Sequence, residues 1–409
     1  MRNGAHSTNG FMSVVSSMKA WSRPVIFRWV AAALLAFALV APVAAAPLYW
    51  DGTGEPNDGV VQGGAGVWQA AGGGTNWADA VGMNNAAWQA YQTAVFGGAA
   101  SGDVTVDNAM GQVAIGGMLF ERTGYVVGGG SLQINSSDSV SVTVQAGVTA
   151  VVNSALTGGV KTSAFNKDGL GMLVLGGENT YASATYVNAG RLDVLAGGAL
   201  RNTSKVTIAS GAELNNNGYV NGDMDVSGVL SGSGVVGGTV SSAGGVISPG
   251  NDGAGLLTFT GGLVLTNGVL AMDLGKSTPN AAPVAGVDYD CVSTNGIVIL
   301  GGTSVLALSF DSGKFMQAGD LYTLMDNSKN LMNKFGSVTL NGETMSVASD
   351  GTFAWGEYVF QLSYAGSAAG LSGGNNVALG VLSAPAIPEP TTLALLGAGV
   401  LGLIRRRRA

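Results

Sequence analysis

The sequence predicts an all-β fold with many tight turns. Between residues 46 and 384, apolar or Thr-rich runs are broken by Gly, Asn or Ser about every eight to twelve residues, as in short strands joined by turns. No stretch of convincing length has the period of a helix. Glycine supplies 67 of the 409 residues, whereas charged residues make up only 11%. Hydrophobic residues reach 46%, enough apolar surface to offset chain entropy, so a disordered Gly-rich tether is not expected.

The amino end has the pattern of a secretory signal peptide. Arg23 and Arg28 precede an apolar run at residues 30–40, and small residues follow up to Ala46. We expect residues 1–45 to form this signal, with cleavage after Ala45. A true start at Met18 would give the signal a more typical length.

The exported chain has a composition that excludes several kinds of chemistry. Its only histidine, His6, lies in or before the signal, and Cys291 is its only cysteine. Zinc sites built from His and Cys, catalysis that needs histidine, and an intramolecular disulfide are therefore excluded, and no cofactor is predicted. We expect Cys291 to be a small buried residue in a strand.

Charge excludes another class of partner. Loss of the predicted signal and of the C-terminal Arg cluster would change the net charge from −7 to about −15. Such a surface repels phosphate backbones and anionic lipid. We therefore expect no nucleic-acid partner.

The first exported region, residues 46–160, is rich in tryptophan: Trp50, Trp68, Trp77 and Trp88. These side chains have two interpretations. Exposed, they would form a platform that stacks on sugar rings. Buried, they would close the open end of a solenoid, which needs a cap to stay soluble, and this second interpretation is favoured.

The sharpest internal motif lies at residues 168–194, within a predicted β-helix region at residues 161–265. A Gly-led strand is followed by an Asn-Thr-Tyr turn, a Thr-x-Val strand and a Gly-x-Leu-x-Val strand. This arrangement resembles one copy of the autotransporter-associated β-strand repeat, although Ala182, Ser183 and Ala184 stand where that family prefers Gly after the Tyr and before the Thr. The motif residues are Gly171, Leu173, Leu175, Gly177, Asn179, Thr180, Tyr181, Thr185, Val187, Gly190, Leu192 and Val194.

The resemblance implies a right-handed parallel β-helix in which Leu and Val stack inward while Gly and Asn turn the corners. That agrees with the tolerance of Gly and Asn for positive φ. Short apolar runs continue at similar intervals to about residue 265. The next region, residues 266–384, is predicted to be either further coils or a β-sandwich.

Two pairs of carboxylates could suggest a polysaccharide-degrading enzyme. Asp223 and Asp225 lie two residues apart, as do Asp288 and Asp290. Alternate residues on an exposed strand face are usually solvated, so neither pair is expected to be catalytic. No catalytic residue and no enzyme activity are predicted.

Calcium is the remaining metal to consider, because the turns at residues 57–59 and 251–253 both read Asn-Asp-Gly. Neither belongs to the Gly-Gly-x-Gly-x-Asp repeat that binds calcium between coils. Asn-Asp-Gly is also a common turn without an ion. No metal site is predicted.

The carboxyl end, residues 385–409, combines Pro388, Glu389 and Pro390 with an uncharged segment at 391–404 and an arginine cluster. The cluster consists of Arg405, Arg406, Arg407 and Arg408. Together they resemble the PEP-CTERM sorting signal, which implies recognition and processing by an exosortase-type membrane enzyme. A helix of about 14 residues spans roughly 21 Å, short of the ~30 Å hydrocarbon core, which suits a transient inner-membrane anchor rather than a permanent one.

These observations predict an exported, non-enzymatic β-solenoid at the cell envelope, outer surface or matrix of a Gram-negative bacterium. Its role would be structural or adhesive, in association with exopolysaccharide. The alternative is a carbohydrate-binding or ice-binding module with the same tail. Ice recognition would require a flat array of Thr-x-Thr over many coils, and only scattered Thr residues are present.

Overall fold

The computed structural model describes residues 46–386, except residues 53–54, 71, 73, 136, 252 and 312. The predicted signal peptide at 1–45 and the sorting residues at 387–409 lie outside the described part. Regular structure in the described part is almost entirely β-strand, with a 3-10 turn at Asn108–Met110, so the predicted all-β class is confirmed. Within the described ranges, no helix is both long enough and apolar enough to span a bilayer.

The strands are short and follow one another closely along the chain. In order they are β1 (Leu48–Trp50), β2 (Gly66–Gln69), β3 (Trp77–Ala78), β4 (Asn85–Ala86), β5 (Thr93–Phe96), β6 (Asp103–Asp107), β7 (Val113–Ile115), β8 (Gly117–Phe120), β9 (Val126–Gly129), β10 (Leu132–Ile134), β11 (Val140–Val144), β12 (Thr149–Val152), β13 (Leu156–Gly158), β14 (Ala164–Asp168), β15 (Met172–Leu175), β16 (Glu178–Asn179), β17 (Ala184–Val187), β18 (Arg191–Val194), β19 (Ala199–Leu200) and β20 (Lys205–Ile208). They continue with β21 (Glu213–Asn216), β22 (Tyr219–Val220), β23 (Asp223–Val226), β24 (Val229–Gly232), β25 (Val235–Val236), β26 (Val240–Ser242), β27 (Val246–Pro249), β28 (Leu256–Phe259), β29 (Leu263–Leu265), β30 (Val269–Leu274), β31 (Cys291–Thr294), β32 (Val298–Leu300), β33 (Val305–Phe310), β34 (Leu321–Asn327), β35 (Leu331–Met332), β36 (Ser337–Leu340), β37 (Glu343–Thr344), β38 (Thr352–Trp355), β39 (Tyr358–Gly366) and β40 (Asn376–Ser383).

Three long sheets, built mainly from parallel strands, run along the molecule, and each coil from β14 to β34 contributes one strand to each of them. Sheet I has 14 strands in the order β35-β32-β29-β26-β23-β20-β17-β14-β11-β8-β5-β1-β3-β4. Sheet II has 13, in the order β2-β6-β9-β12-β15-β18-β21-β24-β27-β30-β33-β36-β37. Sheet III has 10, in the order β16-β19-β22-β25-β28-β31-β34-β40-β39-β38, and the three-stranded sheet β13-β10-β7 occupies the third side of the earlier coils. This is the architecture of a parallel β-helix, as predicted.

The core is a set of apolar columns that pass from coil to coil. In sheet II, Leu173 pairs with Leu192, which pairs with Leu214 in the next coil. All three side chains are buried. The same column continues through Leu230, Ile247, Leu270, Leu306 and Val338. Because strand residues alternate between faces, this inward column is the direct result of the period-two pattern.

The parallel ladders continue through residues 160 and 265, where the sequence predicted region boundaries. Strand β11 pairs with β14 across the first position, and β29 pairs with β32 across the second. The β-helix is therefore longer than the repeat-bearing region. Of the two alternatives for residues 266–384, further coils describe the chain up to β36, and an antiparallel sheet follows.

An aromatic cluster closes the amino-terminal end of the solenoid. Strands β3 and β4 add antiparallel to β1 at the edge of sheet I. Trp77 lies 5.1 Å from Trp50, 4.9 Å from Trp68 and 4.6 Å from Trp88, measured between ring centroids. None of the four rings is more than 1% exposed. The rings therefore pack inside this end of the solenoid, and none of them offers an exposed face on which a sugar ring could stack.

The carboxyl-terminal end is closed by antiparallel strands. Strand β40 pairs with β34 of the last complete coil, and β39 and β38 extend the sheet outward. Phe353 and Phe360 pair across β38 and β39 with their rings 5.2 Å apart. Both side chains are buried. Each end of the parallel core is thus covered by antiparallel strands with buried aromatic rings.

Candidate functional site

The apolar residues of the repeat motif form part of the core. Leu175 pairs with Val194 of the next coil, and Val187 pairs with Ile208. These side chains are fully buried, as are Leu173 and Leu192. They pack the coils and present nothing to a ligand.

Asn179 is the most heavily hydrogen-bonded side chain of the motif. Its Oδ1 accepts from the Leu156 N–H at 2.9 Å, in the preceding coil. Its Nδ2 donates to the Gly177 carbonyl at 2.9 Å and to the Ala199 carbonyl, in the following coil, at 3.0 Å. The side chain is fully buried, so one asparagine satisfies backbone groups of three successive coils.

Tyr181 and Thr185 hold a second interior polar chain. The Tyr181 hydroxyl lies 2.8 Å from Thr185 Oγ1, which lies 2.8 Å from Thr203 Oγ1 in the next coil. Thr203 in turn donates to the Ser183 carbonyl at 2.8 Å. Burial raises the pKa of the Tyr181 phenol above its ordinary value, so this group stays a neutral hydrogen-bonding partner.

The motif glycines lie where the backbone of adjacent coils comes close. Gly190 has φ of +63°, and a Cβ there would lie 2.4 Å from the Gly171 carbonyl oxygen. A Cβ on Gly171 would lie 2.2 Å from the Gln145 oxygen, and one on Gly177 would lie 2.8 Å from the Asn153 oxygen. Thr180 is exposed in the turn after β16 and donates its backbone N–H to the Leu156 carbonyl. These four residues shape corners of the solenoid.

One buried lysine was not expected from the sequence. Lys167 lies on the inward face of β14, paired with Val142 and Val187 of the neighbouring coils, and is fully buried. Its Nζ donates to the carbonyls of Asp168, Gly169 and Ala189 at 2.9 to 3.1 Å. Burial lowers the pKa of the amine to about 8. The only available signal was its spacing of two from Phe165, which places both side chains on one strand face.

In the first carboxylate pair, each side chain contacts a residue of an adjacent coil. Asp223 is exposed and accepts from the Thr239 N–H at 2.9 Å. Asp225 forms an ion pair with Lys205 at 2.5 Å. The structure brings no reacting pair together here.

The second carboxylate pair differs from the expectation of two solvated side chains. Asp290 is only 1% exposed and accepts from the Gly255 N–H at 2.8 Å and from the Asp273 N–H at 2.9 Å. Burial raises the pKa of this carboxyl to about 7. Asp288 instead accepts from the backbone N–H groups of Ser277 and Val284. The expectation was wrong for Asp290 because the chain just before β31 packs against the backbone at Gly255 and Asp273, which removes this side chain from solvent.

The first of the two calcium candidates, residues 57–59, forms a backbone turn. Asn57 has φ of +63°, and Asp58 accepts from the Val60 N–H at 2.9 Å. The second turn includes residue 252, which lies outside the described residues. Among the described residues, no group of three or more His, Cys, Asp or Glu side chains is placed to hold a metal ion.

Cys291 lies in β31 and is 3% exposed, which confirms the expected buried residue. Burial raises the pKa of its thiol to about 12. The thiol is therefore protonated at neutral pH and a poor nucleophile.

Two clefts lie near the carboxyl-terminal cap. The larger, of about 670 Å³, lies between the last coil and β39, and Lys334 stands over the Tyr364 ring at 5.4 Å from its centroid. The smaller, of about 360 Å³, is lined by Asp273, Asp288 and Lys314 among others. Among their described lining residues, neither cleft has a base, an acid and a nucleophile in hydrogen-bonding order.

The outward face of sheet I offers a third surface. Its central column runs through Asn166, Tyr186, Thr207, Asp225, Ser241, Val264 and Ile299 in successive coils. Polar, charged, aromatic and apolar side chains follow one another in this column. It does not form the regular threonine array that ice recognition would require.

Comparisons with known proteins agree with both motifs recognised from the residues. A family model described as passenger-associated-transport-repeat matches residues 165–194. A model described as PEP-CTERM protein-sorting motif matches residues 386–408, which include Pro388, Glu389, Pro390 and the Arg cluster. The adhesin BmaC autotransporter of Brucella suis biovar 1 (strain 1330) is 33% identical over 195 residues, a stretch that covers 46% of this chain and 5% of that protein. The chain therefore carries a passenger-associated-transport repeat within a parallel β-helix, followed by a PEP-CTERM protein-sorting motif.

Proposed function

We propose that this chain is an exported, non-enzymatic, adhesin-like β-solenoid of the bacterial cell surface or matrix. The observation that carries the proposal is the combination of a passenger-type repeat inside a long solenoid with a carboxyl-terminal sorting motif. The similarity to an autotransporter adhesin supports the adhesive role. Because the aligned stretch is only 5% of that adhesin, its partners are not carried over.

The use of polar residues supports a scaffold role. In the repeat, Asn179, Thr185 and Lys167 direct their polar atoms to other coils or to backbone carbonyls. Buried polar groups that are already satisfied stabilise the fold and are not available for a substrate. The solenoid then acts as a rigid support for surface contacts.

The sorting motif would direct the chain along a route to the cell surface. Pro388, Glu389 and Pro390 would be recognised by an exosortase-type membrane enzyme. The uncharged segment at 391–404 and the Arg cluster would hold the chain transiently at the inner membrane, with the arginines on the cytoplasmic side. After processing, the acidic solenoid would associate with exopolysaccharide through extended surface contact.

Terminal-peptide and intact-mass analysis of cell fractions tests the route. We expect the form in the envelope or supernatant to begin at residue 46 and to lack residues 391–409. A variant with Pro388→Ala, Glu389→Ala and Pro390→Ala should remain unprocessed in the inner membrane, whereas the exposed control Glu357→Ala should be processed normally. Recovery of the intact tail from every fraction of the unmodified protein would contradict the route.

A further inference from the structure

Two surface loops lie side by side at the amino-terminal end of the solenoid, and we call them the tip loops: residues 55–62 and residues 79–84. The Gly59 N–H donates to the Gly82 carbonyl at 3.1 Å. A Cβ on Gly82 would lie 2.5 Å from the backbone of Val60, so the two loops touch directly. Their bases are joined by Asn57 and Asn85, each of which donates its backbone N–H to the other's Oδ1, at 2.8 and 2.7 Å.

The tip loops expose three apolar side chains above the buried tryptophan cap. Val60 is 51% exposed, Val81 60% and Met83 55%. A Cβ on Gly59 would lie 3.3 Å from Met83 Sδ, which places Met83 beside the loop that carries Val60. Apolar side chains held together in water are a feature of recognition surfaces.

Two carboxylates fix the backbone of this patch. Asp58 Oδ1 accepts from the Val60 N–H at 2.9 Å, and Asp79 Oδ1 accepts from the N–H groups of Val81 and Met83 at 3.2 and 3.0 Å. The Asn84 side chain and the Met83 N–H hold the pKa of Asp79 below its ordinary value, so it stays ionised. The patch is thus pre-organised, which lowers the entropy cost of binding.

The exported chain carries charge of one sign up to residue 121, and the first basic residue, Arg122, donates to the Gly98 carbonyl at 3.4 Å. Residues 46–121 contain no Lys and no Arg. The same stretch contains seven acidic residues: Asp51, Glu55, Asp58, Asp79, Asp103, Asp107 and Glu121. A like-charged second copy, an anionic lipid surface and a nucleic acid are all repelled by such a field.

From this geometry we infer that the tip loops bind a partner protein whose contact surface has an apolar centre rimmed by Lys or Arg. Val60, Val81 and Met83 provide the apolar centre on this side, and the acidic residues within the tip loops, Glu55, Asp58 and Asp79, provide the complementary charge. A glycan is disfavoured because the nearby Trp rings have no exposed face. The inference deepens the proposed adhesive function and depends on it, because it names the surface and the class of partner.

Selection from a displayed library of random cyclic peptides tests the inference on the full exported chain. We expect enriched peptides to combine Lys or Arg with apolar residues. Their affinity should fall about tenfold or more in the variant Val60→Ser, Val81→Ser, Met83→Ser, and should also fall as salt is added. The matched control substitutes three exposed apolar residues elsewhere, Leu170→Ser, Val287→Ser and Ile297→Ser, and should bind as the unmodified protein does.

Thermal unfolding of both triple variants verifies that they fold. Enrichment of acidic peptides, or binding that is equal in the two triple variants, would overturn the inference, as would the absence of any peptide that depends on the tip. Whether the chain reaches the cell surface distinguishes failure of this inference from failure of the proposed function. If the tip variant reaches the surface and cells bearing it adhere normally, the tip inference fails alone, whereas an unmodified chain that never reaches the surface removes the proposed function itself.

Discussion

At the scale of single residues, the residues of the repeat motif hold successive coils together. Asn179, Tyr181 and Thr185 were recognised from spacing as motif members, but spacing did not distinguish a ligand-binding role from an interior one. The structure places all three inside the solenoid. Their polar atoms contact neighbouring coils because a buried polar group without a partner would cost stability.

Asn179→Ala should lower the free energy of unfolding by about 2–4 kcal/mol, because a backbone N–H and two carbonyls lose their buried partner. Chemical denaturation measured by circular dichroism is suited to this comparison. Asn188→Ala is the control, since Asn188 is exposed and its side chain donates to Asp168 Oδ1 at the surface. Equal stability losses in the two variants would contradict the buried role of Asn179.

Lys167→Met tests the buried amine through its pH dependence. Because burial lowers the pKa of Lys167 from 10.5 to about 8, the unfolded state binds more protons than the folded state between those values, and stability rises with pH in that window. The free energy of unfolding of the unmodified protein, relative to Lys167→Met, should therefore increase between about pH 8 and pH 10. Urea titrations at several pH values measure it, with the exposed Lys161→Met as control. A constant difference across the window would show that Lys167 does not titrate there.

At the scale of elements, strands form wherever inward apolar residues alternate with outward ones, with or without the repeat consensus. Leu270 and Leu306 lie in β30 and β33, well beyond the repeat, yet they continue the column that includes Leu173. The corners between strands are less uniform in sequence than the strands. Only some corners bring two coils close enough to require a glycine, as at Gly190. Periodicity therefore predicted the strands better than the limits of the solenoid.

The end caps cover the open ends of the parallel coils. Trp77→Ala should lower stability by about 3–5 kcal/mol, since a large side chain that is 1% exposed would leave a cavity among three other Trp rings. Within the described residues, Trp77 Nε1 has no hydrogen-bond partner, so the loss is one of packing. Trp77→Phe, which keeps a ring, should cost less.

Hydrogen exchange measures how many coils lose protection when Trp77 is replaced by Ala. Solenoid coils contact mainly their neighbours, so strands β1 and β5 should lose protection while β33 and β36 keep theirs. Loss of protection spread evenly over all coils would contradict this locality.

At the scale of the whole molecule, the described part combines one continuous apolar core with an uneven distribution of charge. All ten Lys and Arg residues between 46 and 386 lie after residue 121. The segment at residues 46–121 therefore carries only acidic charge, and the tip loops lie within it. The sorting motif follows the opposite, carboxyl-terminal cap in the sequence.

The sequence by itself determined the all-β class, the inward stacking of the repeat and the sorting motif, because these depend on local alternation, turn residues and short contiguous patterns. It could not determine where the parallel ladders stop, since coils without the consensus pack through contacts between residues 16 to 46 positions apart. Tertiary structure alone decided that the Trp rings are buried, that Asp290 and Lys167 lie in the interior, and that Val60 and Met83 meet at one exposed surface. Each depends on which distant segments cover a side chain, and burial of that kind leaves no local pattern in the chain.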